Sequence, residues 1–148
     1  MKRILFFIAC LSIAIPSLFS QNGLAVADLF DGSLKDNENV VEVEVKGVAL
    51  KAFNLSTYRS LTATAVPAVS ARMLQLVERD LRTASGKEIG QRGGRIYYAL
   101  LTFPGTKKGT YRYVFYRNKP AGKKHKQATT VVFMEGKATL RELKRMFE

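Results

Sequence analysis

Apolar residues run almost without a break over residues 4–15, with Lys2 and Arg3 before them and Pro16 and the polar break Ser20, Gln21 and Asn22 after them. A short basic region, an apolar core of about a dozen residues and a small residue at the break are the parts of a secretory signal peptide. The run is shorter than the roughly 20 apolar residues that a membrane-spanning helix needs, and no later stretch comes closer. The pattern therefore predicts a leader over 1–20 that is cleaved after Ser20, and a single domain over 21–148 with no transmembrane span.

After the leader the periodicity changes several times. Leu24, Ala27 and Phe30 fit one side of a short helix over 23–30, ending at the turn formers Asp31, Gly32 and Ser33. Val41, Val43 and Val45 alternate with Glu42 and Glu44, the period of a half-buried strand with an acidic outer face. Residues 48–64 are compatible with either a strand or a helix. Leu50, Phe53, Leu55, Tyr58 and Leu61 recur at near-helical steps with Ser56 as a cap, and a helix is the expectation. Pro67 suits a first helical turn, and Val69, Met73, Leu76, Val77, Asp80 and Leu81 follow at steps of three and four, with Arg72, Gln75, Glu78, Arg79 and Arg82 opposite and Gly86 as the stop.

Residues 85–94 hold Gly86, Gly90, Gly93 and Gly94. They follow a helix and precede a strand, whereas phosphate loops run from a strand into a helix N-terminus, so the stretch is expected to be a flexible connection. Three strands then follow over 95–103, 110–117 and 127–134. Glu135 and Gly136 close them, and Thr139 with Glu142 forms a capping box ahead of Leu140, Leu143, Met146 and Phe147. Helices first and consecutive strands later predict an α+β fold, an antiparallel sheet with a three-strand C-terminal meander covered by helices on at least one face.

Charge adds a partner class. The chain carries 24 Lys and Arg against 12 Asp and Glu, and loss of Lys2 and Arg3 with the leader takes the net charge from +12 to +10. Residues 21–46 are acidic, with six acids and two lysines, while 47–148 carry 20 bases and six acids. Over 105–126 the cations Lys107, Lys108, Arg112, Arg117, Lys119, Lys123, Lys124 and Lys126 occur without an acid, interleaved with Tyr111, Tyr113, Phe115 and Tyr116. Cations beside aromatics suit a surface that meets phosphate or carboxylate and stacks on rings. The same pattern also suits a strand whose Tyr111, Tyr113 and Phe115 face the core while lysines keep its turns wet and guard an edge. For an exported chain the anionic partner is a lipid, a polysaccharide or an acidic protein rather than nucleic acid.

Catalytic and metal chemistry find little support. Cys10, the only cysteine, leaves with the leader; Ile8, Ala9 and Cys10 resemble a lipidation box, but only six apolar residues precede Cys10 and the run continues past it. The remaining domain then has neither disulfides nor thiol chemistry. His125, the only histidine, stands among Lys123, Lys124 and Lys126, a field that opposes metal binding. No G-x-S-x-G elbow occurs, and Glu42 and Glu44, about 7 Å apart on one strand face, suit a cross-strand cation better than a catalytic pair. Asn54, Leu55 and Ser56 form a glycosylation triplet that matters only in a eukaryotic secretory pathway. No catalytic residue, metal site or cofactor is expected.

The leader with Gln21 just past the cut, the Val-rich strand leading into residues 46–53, and the closing strand, Glu-Gly turn and amphipathic helix over 129–147 together resemble small exported bacterial proteins assigned to domain families of unknown function. The resemblance implies an α+β domain in the periplasm or at the cell surface of a Gram-negative bacterium, and it supplies no catalytic residues. The reading that follows is a non-enzymatic envelope binding module engaging an anionic partner through the basic hairpin. Two alternatives remain open. One is a hydrolase of envelope polymers that pairs Glu42, Glu44, Glu78, Asp80 or Glu88 with His125 or a tyrosine; the other is a structural or regulatory subunit without its own ligand.

Overall fold

The computed structural model describes residues 23–147. The expected leader, its cleavage site and Cys10 lie outside the described residues. A 3-10 helix, Ala25–Phe30, opens the described chain. It is followed by β1 (Val40–Lys46), α1 (Val48–Lys51), β2 (Leu55–Thr64), α2 (Pro67–Leu81), β3 (Gly86–Arg92), β4 (Arg95–Pro104), β5 (Tyr111–Lys119), β6 (Ala128–Gly136) and α3 (Leu140–Phe147). The strands form one antiparallel sheet in the order β1-β2-β6-β5-β4-β3. The fold is α+β, with the expected meander β4-β5-β6 extended by β3 at one edge and by the β1-β2 pair beyond β6.

Strand alternation sends successive side chains of β6 to opposite faces, and both faces are covered. Val131 and Phe133 meet Met73, Leu76 and Val77 of α2 and Val26, Leu29 and Phe30 of the 3-10 helix. Val132 and Met134 lie on the other face with Tyr113, Leu50 of α1 and Leu143 of α3. Each fully buried side chain of this size contributes about 1.5–3 kcal/mol of hydrophobic stabilisation. The sheet is therefore a middle layer.

Residues 55–64 are a strand and not the expected helix. Asn54 adopts a left-handed backbone (φ 57°), which ends α1 and redirects the chain, and asparagine tolerates that conformation better than most residues. Beyond it, ladder bonds to both β1 and β6 satisfy the backbone of a segment rich in threonine, and Leu61 and Ala63 fill one face. Tertiary pairing overrides the near-helical spacing of the apolar residues. The glycine-rich stretch also departs from the expected loop. Gly86–Arg92 is an edge strand that returns through a two-residue turn at Gly93 and Gly94, both at positive φ (60° and 77°), the backbone that a tight hairpin requires.

Three polar ties fix the layers. Asp80, on the buried stripe of α2, accepts the amides of Ala25 (2.6 Å) and Val26 (3.0 Å), and so caps the start of the 3-10 helix. Burial pushes its carboxyl up, against the pull of those two N–H donors. Arg59 of β2 faces Glu44 across the β1 ladder and reaches Glu42 at 3.1 Å and Glu44 at 3.4 Å. It also donates to the Phe30 carbonyl at 3.0 Å and lies 4.9 Å from the Phe30 ring centre. The acidic stripe of β1 thus has a cross-strand cation, but it is not the outer face that the alternation predicts: Val41 and Val43 are the more exposed side chains, 59% and 42%, because Arg59 draws the two acids in toward Phe30. At the C-terminus the expected capping box forms: Thr139 Oγ1 accepts the Glu142 amide at 3.3 Å, and Glu142 Oε1 accepts the Thr139 amide at 3.5 Å. Glu142 Oε2 also takes Asn54 Nδ2 at 2.8 Å, and this bond chiefly lowers the Glu142 carboxyl.

Replacement Asp80→Ala is expected to lower unfolding stability by about 2–4 kcal/mol, the scale of two buried N–H groups left without an acceptor. Hydrogen exchange should show faster exchange at Ala25 and Val26; unchanged protection there would refute the capping role. A second expectation concerns Tyr113, which is buried and donates to the Ala138 carbonyl at 2.7 Å. Burial above all, then the charges of Tyr111 and Glu142, pushes its phenol up to about 12. The neutral phenol is favoured by folding, so this contribution is intact below the ordinary tyrosine pKa near 10 and is lost as pH rises through about 12. Urea titrations should find Tyr113→Phe about 1 kcal/mol less stable at neutral pH and with a shallower alkaline decline than the parent chain. Equal alkaline slopes would contradict the assignment.

Candidate functional site

The sheet divides the basic segment. Lys107 and Lys108 lie in the β4-β5 turn, whereas Lys123, Lys124 and Lys126 lie in the β5-β6 loop, at opposite ends of a nine-residue strand about 26 Å long at 3.3 Å per residue. Lys119 ends that strand. Arg112 faces the α2 side, its Nε donating to the Pro104 carbonyl at 2.8 Å, and alternation turns Arg117 to the other side. The eight cations do not form one patch. The aromatic candidates divide as well: Tyr113 and Tyr116 are 1% exposed, on opposite faces, and only Tyr111 (42% exposed) is open to a partner. Its ring is tilted against Tyr113 with centres 6.2 Å apart.

The larger concavity lies at the end of the sheet where the β5-β6 loop meets the N-terminal half of α2, a groove of about 990 Å³. Its polar floor is built by hairpin register. Asn118 and Thr129 are ladder partners, and Gln127 lies just before β6. Gln127 Nε2 donates to Asn118 Oδ1 at 2.8 Å and to Thr129 Oγ1 at 2.7 Å, and Thr129 Oγ1 in turn donates to Ser70 Oγ of α2 at 2.9 Å. Among the described residues Asn118 Nδ2 and Gln127 Oε1 have no hydrogen-bond partner, so a donor and an acceptor are left in the groove lining.

Arg95 and Lys126 bring positive charge to the lining, Gln91 adds a further amide, and His125 and Tyr116 complete it. Burial pushes the Tyr116 phenol up, with a smaller push from the charge of Glu78, the acid in the lining. Ala65, also in the lining, has a left-handed backbone (φ 55°) and donates its amide to the Gln127 carbonyl at 2.8 Å. Left-handed backbone at a non-glycine residue costs about 1–3 kcal/mol and persists where the surroundings over-determine it.

The other acids raised as catalytic candidates have structural partners. Glu42 and Glu44 are held by Arg59, Glu44 also by Lys46 at 2.9 Å, and Asp80 by the 3-10 helix; Glu88 pairs with Lys144 at 2.7 Å on the opposite face. Among the described residues no group of three or more His, Cys, Asp or Glu could hold a metal ion, and no helix is long and apolar enough to cross a membrane.

The sequence alone offers Lys126, His125, Tyr116 and Glu78 but not Arg95, Gln91, Asn118, Gln127 or Ser70. These come from five separate segments, brought together by strand register and by the packing of α2 on the sheet.

Replacement Thr129→Val keeps the side-chain shape but removes the buried hydroxyl that bridges Gln127 and Ser70, which keep only their direct bond at 3.3 Å. A loss of about 1–3 kcal/mol in urea unfolding is expected, on the scale of a buried polar group left unsatisfied. A stability unchanged within error would show that the network does not tie α2 to the sheet.

Residues 13–147 match the Family of unknown function (DUF6108). No curated protein and no solved structure matches the chain.

Proposed function

The chain belongs to that family of unknown function, DUF6108, and we propose that it is an exported, non-enzymatic binding module of the bacterial cell envelope that holds an acidic polysaccharide in the groove between α2 and the β5-β6 loop. Export rests on the leader pattern over residues 1–20, with its basic start, short apolar core and small residue before the polar break. The observation that carries the binding reading is the groove itself, where Arg95 and Lys126 stand over a hydrogen-bonded floor with an open amide donor and acceptor. Cations supply attraction for carboxylate or sulfate groups, and the amides supply directional bonds for ring hydroxyls. The lining is concave and mixed, with Leu74, Ile96 and Tyr116 beside the amides, and a concave groove with ring-contacting apolar surface and amide partners suits a chain-like polymer better than a flat bilayer surface. Lys123 and Lys124, in the same loop, extend the positive field beyond the rim.

Hydrolysis is a second reading with one observation in its favour: Glu78 shares the groove with Tyr116 and His125. Cleavage of a glycosidic bond ordinarily uses two carboxyl groups flanking the bond, and among the described residues Glu78 is the only acid in that lining. Binding without turnover therefore accounts for more of the site.

Retention on an immobilised acidic polysaccharide at about 0.1 M salt, where screening acts over about 10 Å, tests the proposal. The parent chain should be retained, the joint reversal of Arg95, Lys123, Lys124 and Lys126 to Glu should abolish retention, and reversal of Lys107 and Lys108 should leave most of it. No retention of the parent chain, or equal losses from the two sets, would overturn the groove assignment. Shortening of the polymer by the parent chain but not by Glu78→Gln would replace it with the hydrolase reading.

A further inference from the structure

A second pocket, of about 560 Å³, lies at the opposite end of the sheet beside the β4-β5 turn. Its construction is specific. A register shift between Leu55 and Thr57 bulges β2 away from the end of β6, and Asn54 turns the chain through its left-handed backbone. Gly136 permits the close approach of the two strands, since a Cβ there would lie 2.5 Å from the Asn54 carbonyl oxygen. Ser56 Oγ donates to the Glu135 carbonyl at 3.1 Å and secures the bulge.

At the base of this pocket stands Glu135, 4% exposed. Its Oε2 accepts the Thr106 amide at 2.8 Å and the Thr106 hydroxyl at 2.7 Å. Its Oε1 has no hydrogen-bond partner among the described residues, and the carboxyl is in none of their ion pairs. Since Oε1 is not one of the buried atoms left without a partner, it is the part of this otherwise buried carboxylate that opens to the pocket, an acceptor presented to whatever enters. Around it Lys51, Lys107 and Lys137 line the pocket from three separate segments, all exposed.

We propose that this pocket binds a hydroxylated anionic ring, a sugar acid or a sugar phosphate, with a ring hydroxyl donating to Glu135 Oε1 and the charged group held by Lys51, Lys107 and Lys137. Three ammonium groups against one carboxylate leave the lining net positive, so the occupant carries negative charge. The donor that meets Glu135 is a hydroxyl rather than an ammonium, because a further cation would stand among three lysines. The hydroxyls of Ser56, Thr57 and Thr110 add partners for the rest of a ring. The volume falls within the range of small-molecule sites, roughly 300–1,000 Å³. This site is separate from the α2 groove and does not depend on the reading given to it.

The test is an amide-resolved NMR titration of the isotope-labelled chain with glucuronate, with glucose 6-phosphate and with glucose. Saturable shifts at Thr106, Glu135 and Gly136 are expected with at least one of the two anions, and the responsive arm distinguishes carboxylate from phosphate. Glucose should give none. Glu135→Gln keeps an oxygen for Thr106 but presents an amide N–H₂ to the pocket, and should weaken binding about tenfold or more, the scale of one hydrogen bond to a charged group. Lys137→Ala, at an exposed position, should weaken it in a salt-dependent way. The groove reversal of Arg95, Lys123, Lys124 and Lys126 should leave the titration unchanged, which separates failure of this proposal from failure of the other. Absence of saturable shifts with both anions, equal response to glucose, or undiminished binding by Glu135→Gln would overturn it.

Discussion

The whole structure depends on β6 being paired along both edges and buried on both faces. Its nine residues bond to β2 on one side and β5 on the other, and its alternating side chains enter two separate apolar clusters. A strand in that position leaves no face for solvent, so every helix is assigned a duty. The 3-10 helix and α2 close one side, and α1 and α3 close the other. An antiparallel sheet often keeps one wet face; here the central strand removes that option, and wet surface is confined to the edges and the two ends.

That confinement explains where polar chemistry collects. Acids near the sheet faces serve as ties: Asp80 caps the 3-10 helix and Glu42 and Glu44 hold Arg59. Lys107, Lys108, Lys123, Lys124 and Lys126 stand exposed in the turns. The two concavities described above lie at the two ends of the sheet, beside its loops. One is lined by amides and the other by a carboxylate, so two concavities of different hydrogen-bonding character arise from a single layer.

Much of the fold is written in local pattern. Val41, Val43 and Val45 alternate as a strand, Pro67 opens α2, and the pairing of Thr139 with Glu142 caps α3, each a signal that needs only a few neighbouring residues. The failures occur where distant pairing decides. Leu50, Phe53, Tyr58 and Leu61 carry near-helical spacing, yet Asn54 breaks the segment and β6, more than sixty residues later, makes its second half a strand. The glycines at 86–94 read as slack until β4 pairs with them. The candidate sites were less legible for the same reason. A run of eight cations is contiguous in sequence, but a strand between them separates its two ends, while Arg95, Asn118 and Gln127 are unremarkable until hairpin register aligns them. Glu135, which beside Gly136 has the sequence of a closing turn, is the last but one residue of β6.

The position of β6 in the chain has a kinetic consequence. Its ladder with β2 joins residues 64 apart (Thr64 and Ala128) to 81 apart (Leu55 and Gly136), whereas the β1-β2, β3-β4 and β4-β5 pairs close through nearby turns. Until β6 arrives, the sheet exists as two pieces with nothing between them, each exposing an unpaired edge. Loop closure of that length must precede the contacts that reward it, so assembly is slow relative to a meander of the same size. The interval before closure is when the open edges of β2 and β5 are available to a neighbouring chain.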